Sequence, residues 1–160
     1  MEQTPDTRIE IERVAGPDLI REVAALAREI WTEHYTPIIG AGQVAYMLDR
    51  FQSDEAIAAD IGNRGYRYDL IRAGTRPVGY AAYRADAAKD EVFLSKLYLA
   101  ERFRGKGLSR RFLARIEETA RLTGCSRIRL TVNKYNSLSI QAYVALGFSV
   151  KDAVVTDIGG

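Results

Sequence analysis

The order of apolar and polar residues along this chain predicts most of its helices and strands. Residues 8–14 alternate polar and apolar side chains, the pattern of a strand with one face in water. Apolar residues then recur every three or four positions, which predicts an amphipathic helix from Pro17 to about Glu33. We expect that helix to stop there because Pro37 and Gly40 interrupt the spacing.

Two further helices and a hairpin follow in the first half of the chain. Apolar residues at helical spacing predict a second helix over 44–51, and Ser53 followed by two acidic residues predicts a capped third helix over 54–61. Aromatic and β-branched residues then fill 66–73 and 77–84. Because a short link containing glycine joins these two runs, we expect them to form an antiparallel hairpin.

The second half alternates strands and helices. An apolar strand at 91–99 is expected to take a central place in the sheet. The elements expected after it are a helix over 107–122, a strand over 128–132, a helix from Asn136 or Ser137 to Gly147, and a final strand over 148–158. This order predicts a single mixed α/β domain over residues 1–160 with one central sheet.

Composition narrows the class of protein. The 160 residues are 47% apolar and 28% charged, which is typical of one globular domain able to bury a core. One cysteine excludes an internal disulfide, and with one histidine the sequence has no cluster that fits a structural metal site. Apolar runs fall short of the roughly 20 residues that cross a bilayer, and residues 1–7 lack the features of a signal peptide. We therefore expect a cytoplasmic protein without a metal or a membrane partner.

The charges divide unevenly between the two parts of the chain. Residues 1–60 hold 12 acidic and 5 basic side chains, a net of minus 7, whereas residues 61–160 hold 9 acidic and 18 basic ones, a net of plus 9. Six bases and no acid lie within residues 102–115. Such a run fits a solvated helix face, a phosphate site or a nucleic-acid contact.

The basic run coincides with a glycine loop between the strand at 91–99 and the helix that follows it. The loop reads Arg104-Gly105-Lys106-Gly107-Leu108-Ser109. Because the first amides of a helix lack partners and glycines let the backbone come close to an anion, a diphosphate fits here. The sequence does not match a Walker A loop or a dinucleotide-binding loop. A glycine turn that simply enters a surface helix is the alternative.

The loop resembles a signature of the GNAT acetyltransferase superfamily, Arg/Gln-x-x-Gly-x-Gly/Ala. Residues 104–109 carry the resemblance directly after Leu97-Tyr98-Leu99, where that family has its signature. A second resemblance is the segment from Asn136 to Tyr143 followed by Leu146-Gly147-Phe148. Together the two cover roughly residues 65–158, and the first 60 residues fit the usual opening of the family.

The resemblance implies a mostly antiparallel sheet and transfer of an acetyl group from acetyl-coenzyme A to a primary amine by direct attack. Arg104 opens the signature, and the backbone of Leu97 and Leu99, on either side of Tyr98, would pair with the pantetheine arm. Asn136 would bond the cofactor, and Tyr143 would protonate the departing thiolate. The main-chain N–H groups implied to hold the pyrophosphate belong to Gly105, Lys106, Gly107, Leu108, Ser109 and Arg110.

The acceptor amine must lose a proton before it attacks, because its lone pair is otherwise occupied. Some relatives carry a glutamate for this purpose where this chain has Thr131. The candidates that remain are Glu33, His34 and Tyr35 at the end of the first helix, acting through a bridging water. A single histidine is more often a surface residue than a catalyst, so the base stays open.

The acidic first part of the chain, where the acceptor pocket is expected, indicates a cationic acceptor such as a polyamine, a lysine or an N-terminal amine. Trp31, Tyr35, Tyr46 and Phe51 are candidate lining residues. Trp31 and Phe51 continue apolar stripes, so we interpret these two as core residues.

Two features depart from the family pattern. Ser109 stands where glycine or alanine is usual, and the last strand of the family, next to 128–132, has no counterpart before Gly160. We expect either a chain without its natural end or a homo-oligomer that fills the gap. A noncatalytic acyl-coenzyme A sensor is the alternative function, since no nucleic-acid-binding signature appears. Cys125 is interpreted as an inert apolar residue.

Overall fold

The computed structural model describes residues 8–132 and 137–149. Two short 3-10 turns, at Ala87–Lys89 and Glu101–Phe103, precede and follow the fourth strand. The helices and strands in chain order are β1 (Ile9–Arg13), α1 (Pro17–Ile39), α2 (Ala41–Phe51), α3 (Asp54–Asn63), β2 (Arg67–Ala73), β3 (Arg76–Asp86), β4 (Glu91–Leu99), α4 (Leu108–Thr123), β5 (Arg127–Leu130) and α5 (Ser137–Ala145).

The described strands form one sheet in the order β1-β2-β3-β4-β5. The first three pairings are antiparallel and the pairing of β4 with β5 is parallel. This confirms the mixed α/β fold, the hairpin of β2 and β3, and the interior place of β4. The hairpin turns at Gly74, whose positive φ of 66° suits a tight two-residue link.

Apolar side chains cover both faces of the sheet, which explains why β3 reads as a nearly continuous apolar run from Pro77 to Tyr83. On one face Tyr68, Leu70 and Tyr80 pack with residues of α1, α2 and α3. On the other face Ile71 and Val78 pack with the first turns of α4. Since consecutive residues of a strand point to opposite faces, both sets must be apolar.

The first helix is longer than the sequence predicts. It continues from Glu33 through Pro37 to Ile39, so the break expected at Pro37 is wrong. Proline removes only the bond to the carbonyl four residues earlier, and both Pro37 and Glu33 lie on the exposed side, where water can replace that partner. The helix instead ends at Gly40, which has a φ of 89° and separates α1 from α2.

A bulge divides β4 into two parts with different neighbours. Residues 91–94 pair with β3 on one side and with β5, at residues 127–130, on the other. The register with β3 then shifts, leaving Ser95 as the extra residue of a bulge. After Ser95, β4 stays paired with β3 up to Leu99, but within the described residues its pairing with β5 ends at Leu94. The two parallel strands therefore separate halfway along β4.

The end of the predicted fold lies largely outside the described residues. Phe148 and Ser149 are not in a strand, which corrects the start of the expected strand 148–158, and its residues from 150 onward are not described. The predicted gap beside 128–132, and the homo-oligomer expected to fill it, therefore remain predictions.

Candidate active site

In the part of the chain that the structure describes, no strand pairs with the outer edge of β4 after its pairing with β5 ends. Leu97 and Leu99 lie opposite Ala81 and Gly79 of β3. The amide of Ala100 donates to the carbonyl of Val78 at 2.8 Å, so the N–H and C=O groups of Leu99 and Leu97 point away from β3. This edge is where an amide-bearing chain can add as a half-strand. Tyr98 has its backbone turned to β3, and its side chain lies on the α1 face.

The loop after β4 opens toward the start of α4. Gly105 and Gly107 have φ angles of 74° and 80°, which disfavour other residues, and Gly107 is the N-cap of α4. Among residues 8–132 and 137–149, no side chain caps that end, and a Cβ placed on either glycine would have no atom of another residue within 4 Å. The first amides of α4 therefore face open space, an arrangement that fits a bound phosphate. Leu108 and Phe112, both buried, fix the helix start against the sheet.

The basic side chains of the loop do not all face that space. Lys106 and Arg110 are exposed, and Ser109 is half-buried in the first turn of α4. Arg110 donates from Nη2 to the carbonyl of Ala145 at the last residue of α5, at 3.2 Å. Arg104 turns back, donating from Nε to the Leu99 carbonyl at 3.1 Å. The sequence showed the charges, but not these contacts, because an arginine's partner is not set by its own position, and Arg110 finds its partner 35 residues along the chain.

The segment Leu146-Gly147-Phe148 closes α5 and holds Tyr143. The amide of Phe148 donates to the Tyr143 carbonyl at 3.0 Å, and that of Gly147, with a φ of 107°, donates to the Val144 carbonyl at 2.9 Å. These two bonds are the Schellman arrangement, in which a hydrophobic contact joins the same two residues. That contact is present, since the Phe148 ring meets the Tyr143 ring edge-on at 5.8 Å. Phe148 therefore restricts the orientation of Tyr143.

The environment of Tyr143 keeps its phenol protonated. Burial, and in second place the nearby Tyr35 hydroxyl, raise the pKa of Tyr143 to about 12. Tyr143 in turn raises the pKa of Tyr98, where burial is the main cause. Side chains from α1, β4 and α5 thus come together at the point where β4 and β5 part.

Aromatic rings form a cluster between α1 and β4. The ring of Trp31 lies 4.4 Å from that of Tyr35 and 5.5 Å from that of Tyr98, and the Tyr80 ring lies 5.3 Å from Tyr98. Trp31 is 5% exposed, as expected of a core residue, and its indole Nε1 has no hydrogen-bond partner among the described residues. Two of the four predicted lining residues, Trp31 and Tyr35, therefore belong to this cluster, and Tyr98 joins them.

The other two predicted lining residues lie elsewhere. Tyr46 and Phe51 are 38% and 37% exposed on α2, with the Arg50 guanidinium over both rings. The interpretation of Phe51 as a core residue is therefore wrong. A helical stripe identifies the buried side, but it cannot show how near the helix end a residue still reaches the core.

The three candidate bases differ in their surroundings. Glu33 is exposed on α1 and makes no ion pair or hydrogen bond to any other described residue. His34 is half-buried, and its Nδ1 lies 3.3 Å from Nη1 of Arg104. Burial, and then the charge of Arg104, lower the pKa of His34, while burial raises that of Tyr35. Thr131 is exposed, and Asn136 lies outside the described residues.

A buried lysine in β4 escaped the sequence analysis. Lys96 is 7% exposed and donates to the hydroxyl of Tyr68 at 2.6 Å and to the carbonyl of Phe51 at the end of α2. The Tyr68 hydroxyl donates to Asp60 at 2.6 Å. Burial is the main cause that lowers the pKa of Lys96 to about 8. The signal in the sequence was a single lysine within an otherwise apolar strand.

The described residues contain neither a metal-binding group nor a membrane-spanning helix. Over residues 8–132 and 137–149, no three side chains among His, Cys, Asp and Glu are grouped to hold a metal ion. The helices of that part of the chain are all too short or too polar to cross a bilayer. Cys125 is buried and reduced, packed with Ile116 and Ala120.

The sequence of this chain is similar to those of known acetyltransferases. A profile described as the acetyltransferase (GNAT) family matches residues 23–148. The thialysine N-epsilon-acetyltransferase of Bos taurus is 28% identical over 108 residues, which are 59% of this chain and 64% of the relative. The spermine/spermidine N(1)-acetyltransferase of Bacillus subtilis is 36% identical over 78 residues, 44% of this chain and 51% of the relative. The chain thus matches less than two thirds of the length of these relatives.

Solved structures share the fold over nearly the whole chain. The PaiA N-acetyltransferase of Thermoplasma acidophilum, in complex with coenzyme A, superposes with a TM-score of 0.81 at 22% identity, covering 92% of this chain and 93% of that one. The aminoglycoside N-acetyltransferase AAC(6')-Iy, also with coenzyme A, gives a TM-score of 0.71 at 17% identity, covering 98% and 97%.

Proposed function

Since this chain belongs to the GNAT acetyltransferase family, we propose that it transfers an acetyl group from acetyl-coenzyme A to a primary amine by direct attack. One observation carries the proposal: among the described residues, the edge of β4 at Leu97 and Leu99, which no strand covers, leads directly into a start of α4 that no side chain caps. A long ligand with amides at one end and phosphates at the other matches this continuous surface.

The main chain would supply most of the contacts to the coenzyme. Leu97 and Leu99 offer backbone groups to the pantetheine amides, and the pyrophosphate would lie on the amides of residues 105–110. Asn136 is proposed as an additional hydrogen-bonding partner. Exposed Lys106 adds attraction at longer range. The coenzyme itself supplies an activated thioester carbonyl.

We assign Tyr143 to the departing sulfur. Its pKa of about 12 means that the hydroxyl keeps its proton throughout the physiological range. A thiol ionises near 8.5, so complete transfer of that proton to a free thiolate is unfavourable. Tyr143 therefore acts as general acid in concert with cleavage of the carbon–sulfur bond, by donating a hydrogen bond that strengthens as charge develops.

The acceptor is proposed to be a small cationic amine. Residues 1–60, which supply α1 and α2, carry a net charge of minus 7. The half-buried rings of Tyr35 and Tyr98, packed on buried Trp31, are proposed to meet the cation as it approaches the parting of β4 and β5. The relatives named above act on thialysine and on spermine or spermidine. We propose that Glu33 and His34 remove the ammonium proton, with Glu33 acting through a bridging water.

A thiol-release assay over cationic, neutral and anionic amines tests the proposal. We expect release with acetyl-coenzyme A and cationic amines, and a loss of 10-fold or more in kcat for Tyr143→Phe with coenzyme affinity retained. Tyr66→Phe is the matched control, because Tyr66 stacks under Arg84 at 4.8 Å in another part of the fold. Coenzyme binding without release for any amine would favour the noncatalytic sensor. Unchanged turnover in Tyr143→Phe would exclude this tyrosine from the mechanism.

A further inference from the structure

Arg104 links the two sides of the proposed site. Its Nε donates to the carbonyl of Leu99 at the end of β4, and its Nη1 contacts Nδ1 of His34 on α1 at 3.3 Å. Arg104 belongs to the proposed coenzyme loop, whereas His34 belongs to the acceptor side. One guanidinium thus spans both substrates' positions.

The contact fixes the state of the imidazole. A guanidinium has donors only, so Nδ1 of His34 must accept, and the ring proton of the neutral form must lie on Nε2. The lone pair that a base would use is therefore occupied. The charged form is disfavoured as well, because burial and the nearby guanidinium both lower the pKa of His34, opposed only by Glu101. In this arrangement His34 cannot take a proton from an acceptor amine.

The same guanidinium occupies a position that the coenzyme requires. The Leu99 carbonyl points away from β3, toward the space between β4 and β5. A pantetheine amide added along this edge competes with Arg104 for that oxygen. A pyrophosphate on the adjacent loop also offers the guanidinium a charge-assisted partner, about twice as strong as a bond between neutral groups. Both effects draw Arg104 away from His34.

We propose that Arg104 is a positioning residue that keeps His34 from acting as a base until the coenzyme binds, an inference that rests on the proposed function. When the guanidinium turns to the coenzyme, Nδ1 becomes free. His34 then takes one proton from the acceptor ammonium, directly or through a water. The amine nitrogen bonds to the thioester carbon, and the carbon–sulfur bond breaks. The sulfur leaves with the electron pair and accepts the Tyr143 hydrogen bond. The acylated nitrogen then gives up its second proton, which reaches the thiolate directly or through water, so that a neutral amide and the coenzyme thiol result. His34 later returns its proton to water.

Other groups around His34 favour this change. The Tyr35 ring packs against the imidazole edge-on at 4.6 Å, and its pKa is raised by burial, so it stays neutral. Glu101, in the 3-10 turn after β4, is the charged group that stabilises an imidazolium. Once Arg104 has moved, one of the two causes that lower the pKa of His34 is removed, and the charge of Glu101 opposes the other, which is burial.

The sequence contains one histidine, so its imidazole signals in nuclear magnetic resonance spectra need no assignment. The pKa and tautomer of His34 are measured by titration with and without saturating coenzyme A. The same measurement is made on Arg104→Gln, on the charge-conserving Arg104→Lys, and on Arg102→Gln. The last is the matched control, because exposed Arg102 lies in the same loop and makes no described contact with His34. Calorimetry confirms binding in each case.

In the free wild type we expect the Nε2–H tautomer and a His34 pKa below its ordinary value. Coenzyme A should raise that pKa by about half a pH unit or more, and Arg104→Gln should raise it as much without ligand. Since bound phosphates act on His34 in every variant, the diagnostic result is a clearly smaller coenzyme-induced shift in Arg104→Gln than in Arg102→Gln. Arg104→Lys and Arg104→Gln should leave His34 in the same neutral tautomer. Neither side chain has the forked guanidinium with which Arg104 reaches both Leu99 and His34.

Two results would overturn the inference while leaving the proposed function intact. One is coenzyme binding, seen by calorimetry, with the pKa of His34 unchanged in the wild type. The other is an equal His34 pKa in free Arg104→Gln and free Arg102→Gln. If calorimetry shows no coenzyme binding to the wild type, the proposed function fails and this inference fails with it.

Discussion

Replacing Lys96 with methionine should remove a specific pH dependence of stability. Lys96 is buried under the end of α2, with Tyr68 and the Phe51 carbonyl as hydrogen-bond partners. Burial lowers the pKa of Lys96 to about 8, against 10.5 for a free lysine, although Asp60 opposes the shift. The folded chain therefore releases this proton about 2.5 pH units earlier than the unfolded chain.

The sign and size of the effect follow from proton linkage. Between pH 8 and 10 the unfolded state binds more protons at this residue, so the free energy of unfolding rises with pH. Each unit is worth about 1.4 kcal/mol, so Lys96 contributes at most roughly 2 to 3 kcal/mol over this window. Above pH 10 the buried tyrosines act in the opposite sense, because their raised pKa values favour unfolding once free phenols ionise.

Urea unfolding from pH 7.5 to 10 measures the effect, with fluorescence of Trp31, the one tryptophan in the sequence, as the signal. The unfolding free energy of the wild type should rise relative to that of Lys96→Met across the window. Lys89→Met, at an exposed lysine before β4, should follow the wild type. Parallel curves for wild type and Lys96→Met would show that Asp60 keeps the ammonium charged and that the linkage argument is wrong.

Three further substitutions test the site. Gly79→Ala should lower the free energy of unfolding in urea by about 1–3 kcal/mol or more, and it should weaken coenzyme affinity. The new Cβ would lie 2.5 Å from Leu99 Cδ2 and 2.9 Å from the Tyr98 carbonyl oxygen. A variant of normal stability would refute this close packing. Gly147→Ala should lower the free energy of unfolding by about 1 kcal/mol, because a φ of 107° is strained for alanine. It should also lower kcat several-fold at unchanged coenzyme affinity, because the cap of α5 positions Tyr143. An unchanged kcat would show that the cap plays no part in catalysis. Glu33→Gln should lower kcat/KM for protonated amines a few-fold or more, because a proton acceptor and about 1 kcal/mol of attraction are lost. Amines that are already unprotonated need neither and should be unaffected. Equal losses for both classes would contradict its role.

The helices, strands and glycine loop could be predicted because each depends on a local sequence pattern. The helical spacing before Glu33 and the alternation around Gly74 depend on neighbours a few residues away, and both were confirmed. The turn at Gly105 and Gly107 was predicted for the same reason. Its backbone conformation depends on residue type more than on distant packing.

The bulge at Ser95 shows what local patterns cannot supply. Strict alternation along β4 places Lys96 and Tyr98 on the same face as Leu94, against α4. The extra residue reverses that parity, so both side chains lie on the α1 face, where Tyr98 joins the aromatic cluster. Only the pairing with β3, set by residues about 15 positions away, reveals the bulge.

The contacts of long side chains could not be predicted from the sequence either. Arg104 and His34 are separated by 70 positions, and Arg110 and Ala145 by 35. An arginine in a basic run reads as a phosphate ligand until its actual neighbours are known. The candidate base His34 could therefore be chosen from the sequence, but the state of its ring could not.

The bond from Arg110 to the last carbonyl of α5 joins the helix that starts at the phosphate loop to the helix that carries Tyr143. A ligand that immobilises the first turn of α4 must therefore also damp the motion of α5. A truncated nucleotide that has no thiol can still bind at the start of α4. Its binding should slow amide hydrogen exchange around residue 143.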